Sequence, residues 1–117
     1  MTPLEIGRKW LESWENRDLD ALAGLYAADA RHSSPKLRTL RPETGGYLVG
    51  RAQVREWFAD AMRRLPALRY VPIALTADET RVCMEYRRVV PEEPELLVAE
   101  VLEIRDGQVV SSRVFHG

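Results

Sequence analysis

The chain has 117 residues, with 17 Lys and Arg against 18 Asp and Glu, and a formal net charge of −1. That length suits one domain spanning residues 1–117, and 45% apolar with 30% charged residues suits a packed core and argues against a disordered chain. The balanced charge (pI about 6.1) argues against a nucleic-acid partner, and no apolar run reaches the roughly 20 residues of a membrane span.

The first residues, Met1 to Glu5, lack the basic and apolar regions of a secretory signal, so a cytoplasmic location and no membrane partner are expected. The lone Cys83 has no internal disulfide partner and reads as a small core or surface residue.

In chain order, Thr2 and Glu5 form a capping box with Pro3 at the first helical position. Ile6, Trp10 and Trp14 follow at spacings of four and make one apolar stripe. Asp18 is placed to cap a second helix on which Leu19, Leu22 and Tyr26 share a face. The segment from Arg31 to Val49, with Pro35, Pro42 and Gly45-Gly46, reads as a long functional or mobile loop. The third helix follows Gly50. Val54, Trp57, Phe58, Ala61, Met62 and Leu65 keep helical spacing, and Pro66 closes it.

Beyond Pro66 the period becomes alternating. Strands are predicted at Tyr70–Thr76, Arg81–Val90, Leu96–Arg105 and Gln108–Phe115. Asp106-Gly107 suits a type I′ turn, so the last two strands should be antiparallel neighbours. Helices followed by an antiparallel meander give an α+β class. The Leu96–Arg105 strand is apolar on both faces, with Leu96, Val98, Leu102 and Ile104 on one and Leu97, Ala99 and Val101 on the other. The helices cover only one face, so a second subunit is expected on the other as a homodimer, with a curled sheet as the alternative.

Several segments, taken in this order, resemble the nuclear transport factor 2-like superfamily. They are the Trp10–Trp14 helix, RDLDALAGLYAADARHSSP (Arg17–Pro35), GRAQVREWF (Gly50–Phe58) and EIRDGQVVSSRVFHG (Glu103–Gly117). The nearest branch resembles the SnoaL-like proteins, named for a polyketide cyclase, with ketosteroid isomerases nearby. The resemblance implies a cystatin-like cone, in which a curved antiparallel sheet wraps around three helices in the N-terminal half. It also implies a pocket between sheet and helices, and homodimers through the outer sheet face. The fold alone assigns no activity.

In ketosteroid isomerases the segment after the second helix ends in Asp-Pro, and that Asp moves the proton. The matching pair here is Ser34-Pro35, and a serine hydroxyl is too weak a base for carbon-acid chemistry unless activated. His32 lies two residues earlier and shares a strand face with Ser34, so a neutral imidazole becomes the candidate base; its alternative is a partly exposed strand residue. Glu100 aligns with the protonated acid of the isomerases. Flanked by Val98 and Leu102, it is expected to have a raised pKa or else to pair with Arg88 or His116.

Tyr86 is expected to hydrogen-bond in the cavity. Arg88 becomes a partner of Glu100 or of an anionic ligand. Trp10 aligns with the isomerase tyrosine donor. Trp10, Trp14, Tyr26, Trp57, Phe58, Met62 and Met84 read as pocket lining or as plain core. His116 shares a face with Ser112 and Val114 and either lines the cone mouth or frays. Arg31, Lys36, Arg38 and Arg41 form a basic loop that either attracts an acidic ligand or is simply solvated.

No metal is expected from two histidines without a ligand spacing, and no cofactor is expected from a chain without a phosphate loop. The expected function is binding of a small apolar molecule bearing a carbonyl or epoxide. Cofactor-independent acid–base turnover would use His32 as base, Glu100 as proton donor and Tyr86 as orienting group. The alternatives are a non-catalytic binding module and a dimeric interaction scaffold.

Overall fold

The computed structural model describes all 117 residues. Helix α1 runs Pro3–Glu15 behind the expected capping box: Glu5 N donates to Thr2 Oγ1 at 3.2 Å, and Thr2 N donates to Glu5 Oε1 at 2.9 Å. Its stripe of Ile6, Trp10 and Trp14 is buried. Helix α2, Leu19–Gly24, is capped by Asp18, whose carboxylate accepts from Ala21 N at 3.0 Å.

Tyr26 is not on that helix. It opens strand β1, Tyr26–Ser33, because its ring is drawn inward and its hydroxyl is satisfied by Trp10 and Ser112. The segment Arg31–Val49 is likewise more ordered than a loop. It contains the end of β1, the short helix α3 (Pro35–Leu40), a 3-10 turn (Pro42–Thr44) and strand β2 (Tyr47–Val49). Ser34 caps α3 by accepting from Leu37 N at 3.0 Å. Helix α4 spans Arg51–Arg64, so α3 is one short helix beyond the three expected.

The remaining strands are β3 (Arg69–Ala77), β4 (Arg81–Val89), β5 (Leu96–Arg105) and β6 (Gln108–His116), each within one residue or so of expectation. Asp106 and Gly107 have φ of 52° and 73°, so both central turn residues are left-handed, as a type I′ hairpin requires.

The strands form one curved, open sheet in the order β2-β1-β6-β5-β4-β3. The meander is antiparallel throughout, but β1 joins it in parallel, with His32 opposite Ser112 and Ser33 opposite Arg113. That pairing places residues of the N-terminal third beside the last strand.

On the inner face, Val82, Met84 and Tyr86 of β4 and Val98, Glu100 and Leu102 of β5 are buried against the helices. Burial of such side chains supplies most of the favourable free energy of the fold. On the outer face Leu97 and Phe115 are each about half exposed, at 52% and 51%. No helix is long and apolar enough to cross a membrane.

Candidate functional site

Between the inner sheet face and α1, α3 and α4 lies a cavity of about 300 Å³. Its wall includes ten of the residues expected from the sequence: Trp10, Trp14, His32, Ser34, Trp57, Phe58, Tyr86, Arg88, Glu100 and His116. Three others stand elsewhere. Tyr26 is fully buried behind the wall, Met84 is fully buried in the core, and Met62 packs at the edge of the core. Of the basic loop residues Lys36 reaches the lining, and Arg31, Arg38 and Arg41 do not.

The aromatic wall is a connected set of rings. Trp10 stacks on Tyr70 with centroids 5.8 Å apart and planes within 8°. Tyr70 meets Tyr86 at 4.5 Å, and His32 meets Phe58 edge-on at 5.5 Å. These offset and edge contacts are the favoured geometries for aromatic pairs.

Glu100 is 1% exposed. Its Oε1 accepts a 2.7 Å hydrogen bond from the Tyr86 hydroxyl, and its Oε2 is buried without any partner. Neither expected ion pair forms. Arg88 instead donates to Glu93 Oε1 at 3.2 Å, because Glu93 in the β4–β5 turn is within reach of its guanidinium. Burial raises the Glu100 pKa to about 7, against the opposing pull of the Tyr86 hydrogen bond. The buried carboxyl in turn pushes the Tyr70 and Tyr86 hydroxyls further up, beyond the effect of their own burial.

His32 is 3% exposed, with Nδ1 2.7 Å from Ser112 Oγ. Burial lowers its pKa to about 4, so the imidazole is neutral at pH 7. Ser112 also accepts from Tyr26 at 3.0 Å, and Tyr26 accepts from Trp10 Nε1 at 3.1 Å. His116, at the mouth, has a pKa lowered by partial burial and by the positive charges of Lys36 and Arg88. Ser34 lines the cavity, but its Oγ is engaged in capping α3.

Tyr70 and Ser112 are the residues that sequence reasoning assigned no role. An aromatic at the head of the strand predicted at Tyr70–Thr76 was the available signal for Tyr70, and the structure sets it opposite Arg88. Ser112 carried none, since only the β1–β6 pairing brings it to His32. No group of three or more His, Cys, Asp or Glu side chains is arranged to hold a metal ion.

Chemically, then, the wall offers an apolar aromatic surface, a carboxyl that titrates near neutrality, a neutral imidazole and a cationic rim. β6 lies between β1 and β5, so His32 and Glu100 sit two strands apart; Ser112 stands opposite both His32 and Leu102, which puts Glu100 two residues further along, about 12 Å between backbones at ordinary strand spacing and rise.

No curated protein matches the chain. Among solved structures it is similar to a SnoaL-like protein of unknown function from Burkholderia thailandensis. The identity is 30% over 97% of this chain and 92% of that one, with a TM-score of 0.86. A candidate ketosteroid isomerase from Kribbella flavida shares the fold, with 22% identity over 98% of this chain and 77% of that one and a TM-score of 0.80. So does a candidate polyketide cyclase from Sinorhizobium meliloti, with 16% identity, coverage of 95% and 94%, and a TM-score of 0.80. Residues 7–112 match the family described as the SnoaL-like domain. With nearly its whole length accounted for in this way, the chain belongs to the SnoaL-like domain family.

Proposed function

We propose that the chain binds a small, largely apolar molecule bearing a carbonyl or epoxide oxygen and moves a proton on it without a cofactor. The observation that carries this reading is the state of Glu100. A buried carboxyl with one oxygen on Tyr86 and the other unpartnered is costly for stability alone. With its pKa near 7 the same group gives or takes a proton at neutral pH, where general acid–base catalysis is most effective. The base role expected of His32 is not carried into this proposal. Its pKa of about 4 makes it a poor proton acceptor, and it serves better as a neutral contact to the ligand from the facing wall.

A second reading, binding without turnover, is favoured by Ser34. Its hydroxyl is committed to the α3 cap, so the position preceding Pro35 supplies no base. The open cavity counts against a pure scaffold. For the outer sheet face, with Leu97 and Phe115 half exposed, the reading is a second copy of the chain as its cover.

The test has two stages. Native mass spectrometry of protein purified without added compounds is expected to show a small apolar adduct that a cavity-filling Val98→Trp variant loses; the same adduct on that variant overturns the site. A panel of cyclic enones and aryl epoxides then separates the readings. Turnover that falls at least 100-fold in Glu100→Gln supports the enzyme, and an adduct without turnover on any compound supports the binding module.

A further inference from the structure

Trp10, Tyr26, Ser112 and His32 form a single file of hydrogen bonds whose hydrogens can be counted. An indole nitrogen only donates, so Trp10 Nε1 gives its hydrogen to the Tyr26 oxygen, 3.1 Å away, and the direction of the file is set. The one hydrogen of Tyr26 goes to Ser112 Oγ at 3.0 Å. Ser112 is fully buried, and its hydroxyl touches no polar atom except Tyr26 and His32 Nδ1, the latter at 2.7 Å. If Nδ1 carried a hydrogen, Ser112 would accept twice and its own hydrogen would be stranded in a sealed site, a state buried hydroxyls avoid. If Nδ1 is bare, every hydrogen in the file has an acceptor.

We infer that this file locks His32 in the Nε2–H tautomer, so that the imidazole presents a hydrogen-bond donor to the cavity and the ligand sets an oxygen acceptor against it. Nε2 has no partner in the protein and is not among the sealed polar atoms, so it opens on the cavity that His32 lines. The Phe58 ring, edge-on at 5.5 Å, holds the imidazole plane. Tyr26 and Ser112 do not line the cavity and act through His32 as positioning residues. The tautomer is independent of the proposed function; the ligand acceptor rests on it.

The experiment is a long-range proton–nitrogen correlation spectrum of the labelled protein near pH 7. The chain has only two histidines, and a His116→Gln variant assigns them. The expected result is a single Nε2–H tautomer for His32; an Nδ1–H tautomer overturns the inference. In Tyr26→Phe/Ser112→Ala, with folding checked by its amide spectrum, the signal is expected to split between tautomers. An unchanged Nε2–H signal there overturns the role of the file. Titration with 1-tetralone and with tetralin, the same skeleton without the oxygen, tests the ligand. The ketone is expected to shift the His32 Nε2 resonance and the hydrocarbon to leave it in place. Equal shifts or none overturn the acceptor assignment, while the ligand-free spectrum still decides the tautomer.

Discussion

The Tyr86 hydroxyl donates to Glu100 Oε1 at 2.7 Å and is the carboxyl's sole hydrogen-bond partner. This one contact lowers a pKa that burial raises. Removing it in Tyr86→Phe is therefore expected to move the Glu100 pKa upward from about 7, read as the titration of its carboxyl carbon resonance. A downward move would show that Tyr86 does not stabilise the charged form.

Glu100 also makes stability depend on pH. Its folded pKa, about 7, stands above an unfolded value near 4.5, so the protonated form is favoured by folding. Its contribution is full below the unfolded value and is lost as pH rises through 7. Denaturant unfolding of wild type and Glu100→Gln at pH 5 and pH 8 is expected to show the wild type losing roughly 2–3 kcal/mol relative to the variant over that interval.

His32 has the opposite sign. Its folded pKa of about 4 lies below the unfolded 6.5, so its contribution is present above 6.5 and is lost as pH falls through 4. Relative to His32→Gln, the wild type is expected to lose roughly 2–3 kcal/mol between pH 7 and pH 4, measured the same way.

The approach of α1 to the sheet depends on Gly7. A Cβ there would stand 2.9 Å from Val82 Cγ2, a fully buried and branched side chain with no room to turn. Gly7→Ala gains up to about 1 kcal/mol of helix propensity but is expected to lose more to overpacking, giving a net lower melting temperature in calorimetry.

The exposed pair on the outer sheet face gives a test of assembly. If a second copy covers Leu97 and Phe115, Leu97→Glu/Phe115→Glu is expected to sediment as a monomer where the wild type sediments as a dimer.

Elements with a clean period were legible from residues alone. The β5 bounds, Leu96–Arg105, match the expectation because burial alternates from Val98 to Glu103, up to the register shift between Glu103 and Ile104. The α1 capping box and the α4 stripe were equally plain. The first half of strand β1 was not legible. Tyr26 and Ala27 are both buried and Ala28 and Asp29 both exposed, since its register against β6 shifts between Tyr26 and Arg31, so a period of two holds only around His32. The same gap hid the parallel pairing, and with it Ser112 as the neighbour of His32. Glu100 was found because a carboxyl between Val98 and Leu102 breaks an apolar face. Its actual partner follows from the β4–β5 register, which sets Met84 opposite Glu100, Tyr86 two residues on and Arg88 opposite Leu96, and no spacing rule contains that register.

Strand β6, made after the other five, lies in the middle of the sheet and is the sole bridge from β1 to the meander. A growing chain that has not yet made Gln108–His116 has two sheet fragments and no seam between them. Its imidazole then has no serine to lean on, and the chamber has no back. Assembly of the site thus waits on contacts some 80 residues apart in sequence, the kind of long loop closure that slows folding. The contact between His32 and Ser112 therefore forms only once β6 has taken its place between β1 and β5.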